Sequence, residues 1–209
     1  MKNKIEAIKK QIIPCNKFNF FIISLVVVGI ICGAIYYNML SKTDLDIVKK
    51  SITDFFSTLN NDQINYGQVL INSITNELVS ILIIFALGFS VIGIPLIILL
   101  IFFKGLILGF SISSLISIFS YKGVVYSFIY IFPAQLISIL SFLMISFYSI
   151  NFSLMLFKMV FNKRQVNVKK EFKKYLVILG ITFILSIIFA LLESYIFPSL
   201  LKLIYKLLG

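Results

Sequence analysis

Histidine and tryptophan are absent from this sequence, cysteine occurs twice, proline four times, and only eight of its 209 residues are acidic. Without histidine, general base work at neutral pH loses its usual residue, and a zinc site has almost nothing to be built from. On one helical path Cys15 and Cys32 would stand about 25 Å apart, too far for a disulfide. No Walker A loop, paired catalytic carboxylates or metal-ligand cluster can be assembled either. We therefore expect neither an enzyme nor a cofactor.

What is present is apolar. Hydrophobic residues make up 60% and charged ones 13%, with a mean hydropathy of +1.05, against roughly half and a quarter in a soluble domain. The excess falls in runs long enough to cross a hydrocarbon core of about 30 Å. The fold class expected is all-α, a polytopic bundle of about five spans forming one membrane domain. The spans are placed at residues 18–40, 78–103, 105–120, 124–157 and 175–197. The first follows a basic leader and is too long for a signal-peptide core. Ile31 stands where a lipobox ahead of Cys32 needs a small residue, so an uncleaved span is expected.

The net charge of +11 would suggest nucleic acid in a soluble chain; here orientation accounts for it. With the N-terminus cytoplasmic, the inner segments carry +4 (1–17), +1 (Lys104) and +6 (158–174). The outer ones carry −2 (41–77), +1 (Lys122) and +2 (the tail). The positive-inside rule then puts the N-terminus inside and the C-terminus outside. No nucleic acid partner is expected.

Four local features bear on function. In the outer polar stretch 41–77, Val48, Ile52, Phe55 and Leu59 recur at helical spacing, as either a helix lying on the membrane or a docking face for an external partner. Glu193 reads as the one carboxylate inside a span. Such a group is a functional candidate, although near the interface it more often just reaches water. Lys104 reads as an interface anchor. In the run that also holds Gly88 and Ser90, Gly93 and Pro95 loosen the second span, with Pro95 robbing the Val91 carbonyl of its donor. Gly105 and Gly109 then form a small-residue face for close packing.

The run 124–157 is too long for one straight crossing. It must tilt, kink at Pro133 or leave the membrane, or residues 124–132 must form a re-entrant piece. Tyr121-Lys122-Gly123 reads as the tight turn before it. After Pro198, Lys202 and Lys206 on one face and leucines on the other suggest an interfacial tail helix.

The segment LGFSVIGIPLIILLIFFKGLILGF, Leu87 to Phe110, resembles the central signature of the stage II sporulation protein M family. The match rests on an S-x-x-G-x-P element followed by K-G-x-x-x-G-F, carried here by Ser90, Gly93, Pro95, Lys104, Gly105, Gly109 and Phe110. The plan of the whole chain is also similar, with its basic start, polar outer stretch and basic loop before the last span. Broader relatives carry a Pro-His-Gly element and a glutamate in the fourth span. This chain has Pro133-Ala134-Gln135 and Ser138, so no role of that His or Glu carries over.

The resemblance implies a membrane scaffold in engulfment, sited in the bacterial cell membrane at the septal and engulfing membrane. Its implied partners are the peptidoglycan-degrading stage II sporulation proteins D and P. A homo-oligomer stays open. The competing expectations are a small permease built around the helix broken at Gly93 and Pro95, and a membrane-embedded enzyme, which the missing histidines disfavour.

Overall fold

The computed structural model describes residues 17–60, 65–162 and 168–208. The basic leader with Cys15, and residues 163–167 of the basic loop, lie outside them. The described residues form helices and connecting turns, with no strand.

Helix α1 (Lys17–Asn38) is apolar all round, as a membrane span should be. Helix α2 (Lys42–Asn60) begins with a side-chain cap: the Ser41 hydroxyl accepts from the Asp44 N–H and donates to the Asp44 carboxylate at 2.6 Å. Helix α3 (Tyr66–Leu87) is capped by Asn65, whose side chain accepts from the Gln68 N–H. Helix α4 runs Gly93–Phe119. A long helical run follows, from α5 (Tyr121–Tyr126) through the π turn Ser127–Ile131 into α6 (Phe132–Asn162). Helix α7 (Val168–Leu191) passes through a second π turn, Leu192–Ile196, into α8 (Phe197–Leu208). Five of these helical stretches are long and apolar enough to cross a membrane.

The span boundaries differ from those expected. The second crossing is Tyr66–Leu87 and the third Gly93–Phe119, so the chain reverses at residues 88–92 and not at Lys104. The reversal is built from short bonds, with the Ser90 N–H donating to the Leu87 carbonyl and the Gly93 N–H to that of Ser90. The break at Gly93 and Pro95 is therefore a helix start, and the second span is not a broken helix. Pro95 stands in the first turn of α4, where its missing N–H has no intrahelical acceptor to lose. The Val91 carbonyl keeps a donor, the Ile94 N–H at 3.2 Å. This removes the observation that had suggested a permease.

The next reversal is at Ser120, with φ of 53°, and not at residues 121–123. Gly123 lies in α5, pressed so close to the backbone of Leu115 and Ile116 that a Cβ there would overlap it. Nor is there a re-entrant piece at 124–132. Helix continues through that stretch, and the π turn lies just before Pro133. In that turn the Phe132 N–H reaches back five residues to Ser127, and in the second π turn the Phe197 N–H reaches back to Leu192. Each widened turn precedes a proline in the same tetrapeptide, Tyr-Ile-Phe-Pro (Tyr130–Pro133 and Tyr195–Pro198). Each absorbs the register change that the missing proline donor imposes.

Helices α1 and α4 run parallel, since Val26 meets Gly105 and Ile30 meets Gly109. The bundle thus has two distinct ends. The start of α1, the reversal at 88–92 and the start of α7 share the basic end, where the Phe89 and Phe172 rings lie 6.1 Å apart. Helix α2, Ser120, both π turns and α8 share the far end, where the Phe56 ring lies 5.5 Å from that of Tyr205. Apolar side chains from every span join one core around Ile81, Ile97, Ile101, Ile145 and Ile178.

Candidate functional site

The reversal at 88–92 has a consequence for charge. Glu77 lies eleven residues before Gly88 and Lys104 eleven after Gly93, so an antiparallel hairpin brings both to one depth, roughly 16 Å from the turn. The Lys104 ammonium donates to Glu77 Oε1 at 2.6 Å. Ser138, at the same depth on α6, donates to that oxygen at 2.5 Å. The ammonium also lies 5.6 Å from the centre of the Phe142 ring. Glu77 is 5% exposed, and its second oxygen, Oε2, is buried without a partner. Lys104 is therefore not an interface anchor, and Glu77 does not belong to an outer polar stretch. They form an ion pair in the middle of two spans.

Glu193 is not the sole carboxylate inside a span. It sits in the second π turn, half-buried, where α7 passes into α8. Three helices, α3, α4 and α6, supply the ion pair and the hydroxyl that supports it.

The glycines of the expected signature face two different neighbours. Gly105 and Gly109 pack against α1 and not within the hairpin. A Cβ on Gly105 would overlap the Val26 carbonyl oxygen, and one on Gly109 that of Ile30. The partner surface has its own pair, Gly29 and Gly33, which meet the backbone of Phe102 to Phe110 in the same way. Backbones meet directly along this seam, as small-residue interfaces permit. Sequence reading passed over Gly29 and Gly33, although their spacing of four carries the same signal. Phe110 closes the far end of the seam with ring contacts to Tyr36 and Tyr37 at 6.1 and 5.6 Å.

Gly88, Ser90 and Gly93 shape the reversal. A Cβ on Gly93 would overlap the Leu87 carbonyl, and one on Gly88 the Tyr175 hydroxyl. That hydroxyl donates to the Phe85 carbonyl at 2.9 Å, so Ser149, 2.5 Å away, donates to it in turn. The Ser153 hydroxyl donates to the Ser90 carbonyl at 2.8 Å. The carbonyls at the end of α3 and in the turn thereby gain donors from α6 and α7.

The expected docking face of α2 is turned largely onto the chain itself. Leu59 is buried, and Val48, Ile52 and Phe55 line a groove of about 440 Å³ closed on its other side by Phe110, Ser114 and Leu201. Phe56, outside the expected set, anchors the helix among the rings of Phe119, Tyr126 and Tyr205. The opposite face, with Asp46, Lys50, Asp54 and Ser57, is exposed. Among the described residues no three of His, Cys, Asp and Glu come together to hold a metal ion.

No curated protein and no solved structure matched this chain. One family model did, over residues 22–198, a stretch running from α1 through both π turns. A five-span helical protein with glycines at its helix seams and a lysine in an ion pair between spans, this chain belongs to the stage II sporulation protein M family.

Proposed function

We propose that the protein is a membrane scaffold of the sporulation engulfment machinery. On this reading it localises and assembles the peptidoglycan-degrading stage II sporulation proteins D and P at the septal and engulfing membrane. It breaks no bond itself; wall hydrolysis belongs to its partners. The observation that carries the reading is the family match across residues 22–198. The basic leader and basic loop put their end of the bundle in the cytoplasm. The far end, with α2, then faces the wall where the partners act.

Phe56 and Leu59 seat α2 on the bundle, which favours the exposed face with Asp46, Lys50, Asp54 and Ser57 as the docking surface. The test is recovery of partners from detergent-solubilised membranes of sporulating cells. Proteins D and P should come down with the wild-type chain and be lost when Asp46, Lys50 and Asp54 are all reversed in charge. Full recovery with the triple variant would move the contact off α2, and absence of both enzymes from the wild-type eluate would sink the scaffold reading.

A further inference from the structure

The seat of α2 leaves a concave surface that the chain does not fill. The groove between α2 and α4 holds about 440 Å³, within the range of roughly 300–1,000 Å³ usual for ligand sites. Its depth in the membrane follows from α4, which crosses from Gly93 to Phe119. From the middle of that helix, Phe110 and Leu115 of the groove stand about 6 and 14 Å toward the far end. One leaflet of hydrocarbon is about 15 Å deep, so this side of the groove lies among acyl chains. Ile47, Val48 and Phe55 of α2 form the opposite side, while Asp46, Lys50 and Asp54 lie on the exposed face of that helix.

The chemistry of the lining narrows the occupant. Ser51 donates its hydroxyl proton to the Ile47 carbonyl and Ser114 to that of Ser111, each at 2.9 Å. Both protons are thus spent on their own helices. An extended peptide laid here would bury backbone N–H and C=O groups with few partners, and water gains little from an apolar surface. A hydrocarbon chain needs no hydrogen bond, and it supplies the dispersion contacts that an empty groove forfeits. It would also cover Ile47 and Phe55, which stay exposed at the rim. Supply is immediate, because the exposed Ile107 and Ile116 put lipid along the same helix on either side of the groove.

We propose that this groove is a lipid site, which takes one acyl chain of a membrane phospholipid and through it holds α2 against the bundle. The site belongs to the isolated chain and does not rest on the scaffold reading.

Native mass spectrometry tests it, on the full chain reconstituted in phosphatidylglycerol vesicles and released into a mild detergent. The wild type should keep one phospholipid per chain. Ser111→Phe and Ser51→Phe fill the groove from its two sides, and each should weaken retention about ten-fold. Ile184→Phe places the same ring on the exposed face of α7 and should leave retention unchanged. A wild type that keeps no phospholipid, a folded filled variant that keeps as much as the wild type, or an equal loss in Ile184→Phe would overturn the proposal. So would a lipid-free wild-type dimer that the filled variants abolish, because a second copy would then occupy the groove. If Ser111→Phe does not fold, Ser51→Phe decides.

Discussion

Adjacent residues of α4 hold their neighbours by opposite means. Gly105, with Gly109 a turn further on, brings α4 against α1 with no side chain between the backbones, and the attraction there is dispersion over a dry seam. Lys104, the residue before, holds α3 through a single charged contact that a serine of α6 reinforces. The first interface fails when an atom is added, the second when one is removed. A helix surrounded by lipid gains little from hydrophobic burial, so both devices replace the force that would pack a soluble bundle.

Substitutions at the two interfaces separate these mechanisms. The largest effect is expected from Lys104→Ala, which strands a buried carboxylate and should cost about 3–5 kcal/mol, read as thermal unfolding in detergent. Replacing both Lys104 and Glu77 by methionine should recover most of that loss; a double variant as unstable as the single one would mean that the charge itself is not the issue. Next comes Gly109→Leu, where the side chain must displace the Ile30 backbone. A loss of about 1–3 kcal/mol is expected, with the protein less abundant in membranes, and unchanged abundance would show that α1 can move aside freely.

Tyr175→Phe comes third. It removes the donor to the Phe85 carbonyl and strands the Ser149 hydroxyl, for about 1 kcal/mol. The smallest effect belongs to Gly180→Ala. That glycine lies mid-helix with nothing within 4 Å of an added Cβ, so the change should stabilise the chain by up to about 1 kcal/mol through helix propensity alone. A destabilised Gly180→Ala would reveal a neighbour there, such as a second copy of the chain.

The number of crossings was legible because hydropathy over some twenty residues is a strong and local signal. Their register was not, and the reason lies in particular residues. Asn72, Ser73, Asn76 and Glu77 make the first half of α3 look like a polar loop, because the partners of Glu77, Lys104 and Ser138, stand on other helices and cannot be seen along the chain. The reversal at 88–92 carries no charge and so resembles span. Pro95 held the correction: read as a helix-starting proline, it begins α4 at Gly93 and carries Lys104 to mid-membrane, where a carboxylate partner becomes obligatory. The glycine seam was half legible, since Gly105 and Gly109 announce a close neighbour without saying which. The face of α2 was periodic as expected, but its apolar side seats the helix on its own bundle, a distinction periodicity alone does not make.

The clasp of Phe56 against Tyr205 bears on biosynthesis. A chain made from its N-terminus delivers α2 to the far side of the membrane early, while one of the rings it leans on belongs to α8, made after all five spans. Until then α2 lacks part of its seat, and its apolar residues stay open to other contacts. The surface around α2 is therefore finished only when α8 is in place, so a chain cut before α8, though anchored, would expose a different face.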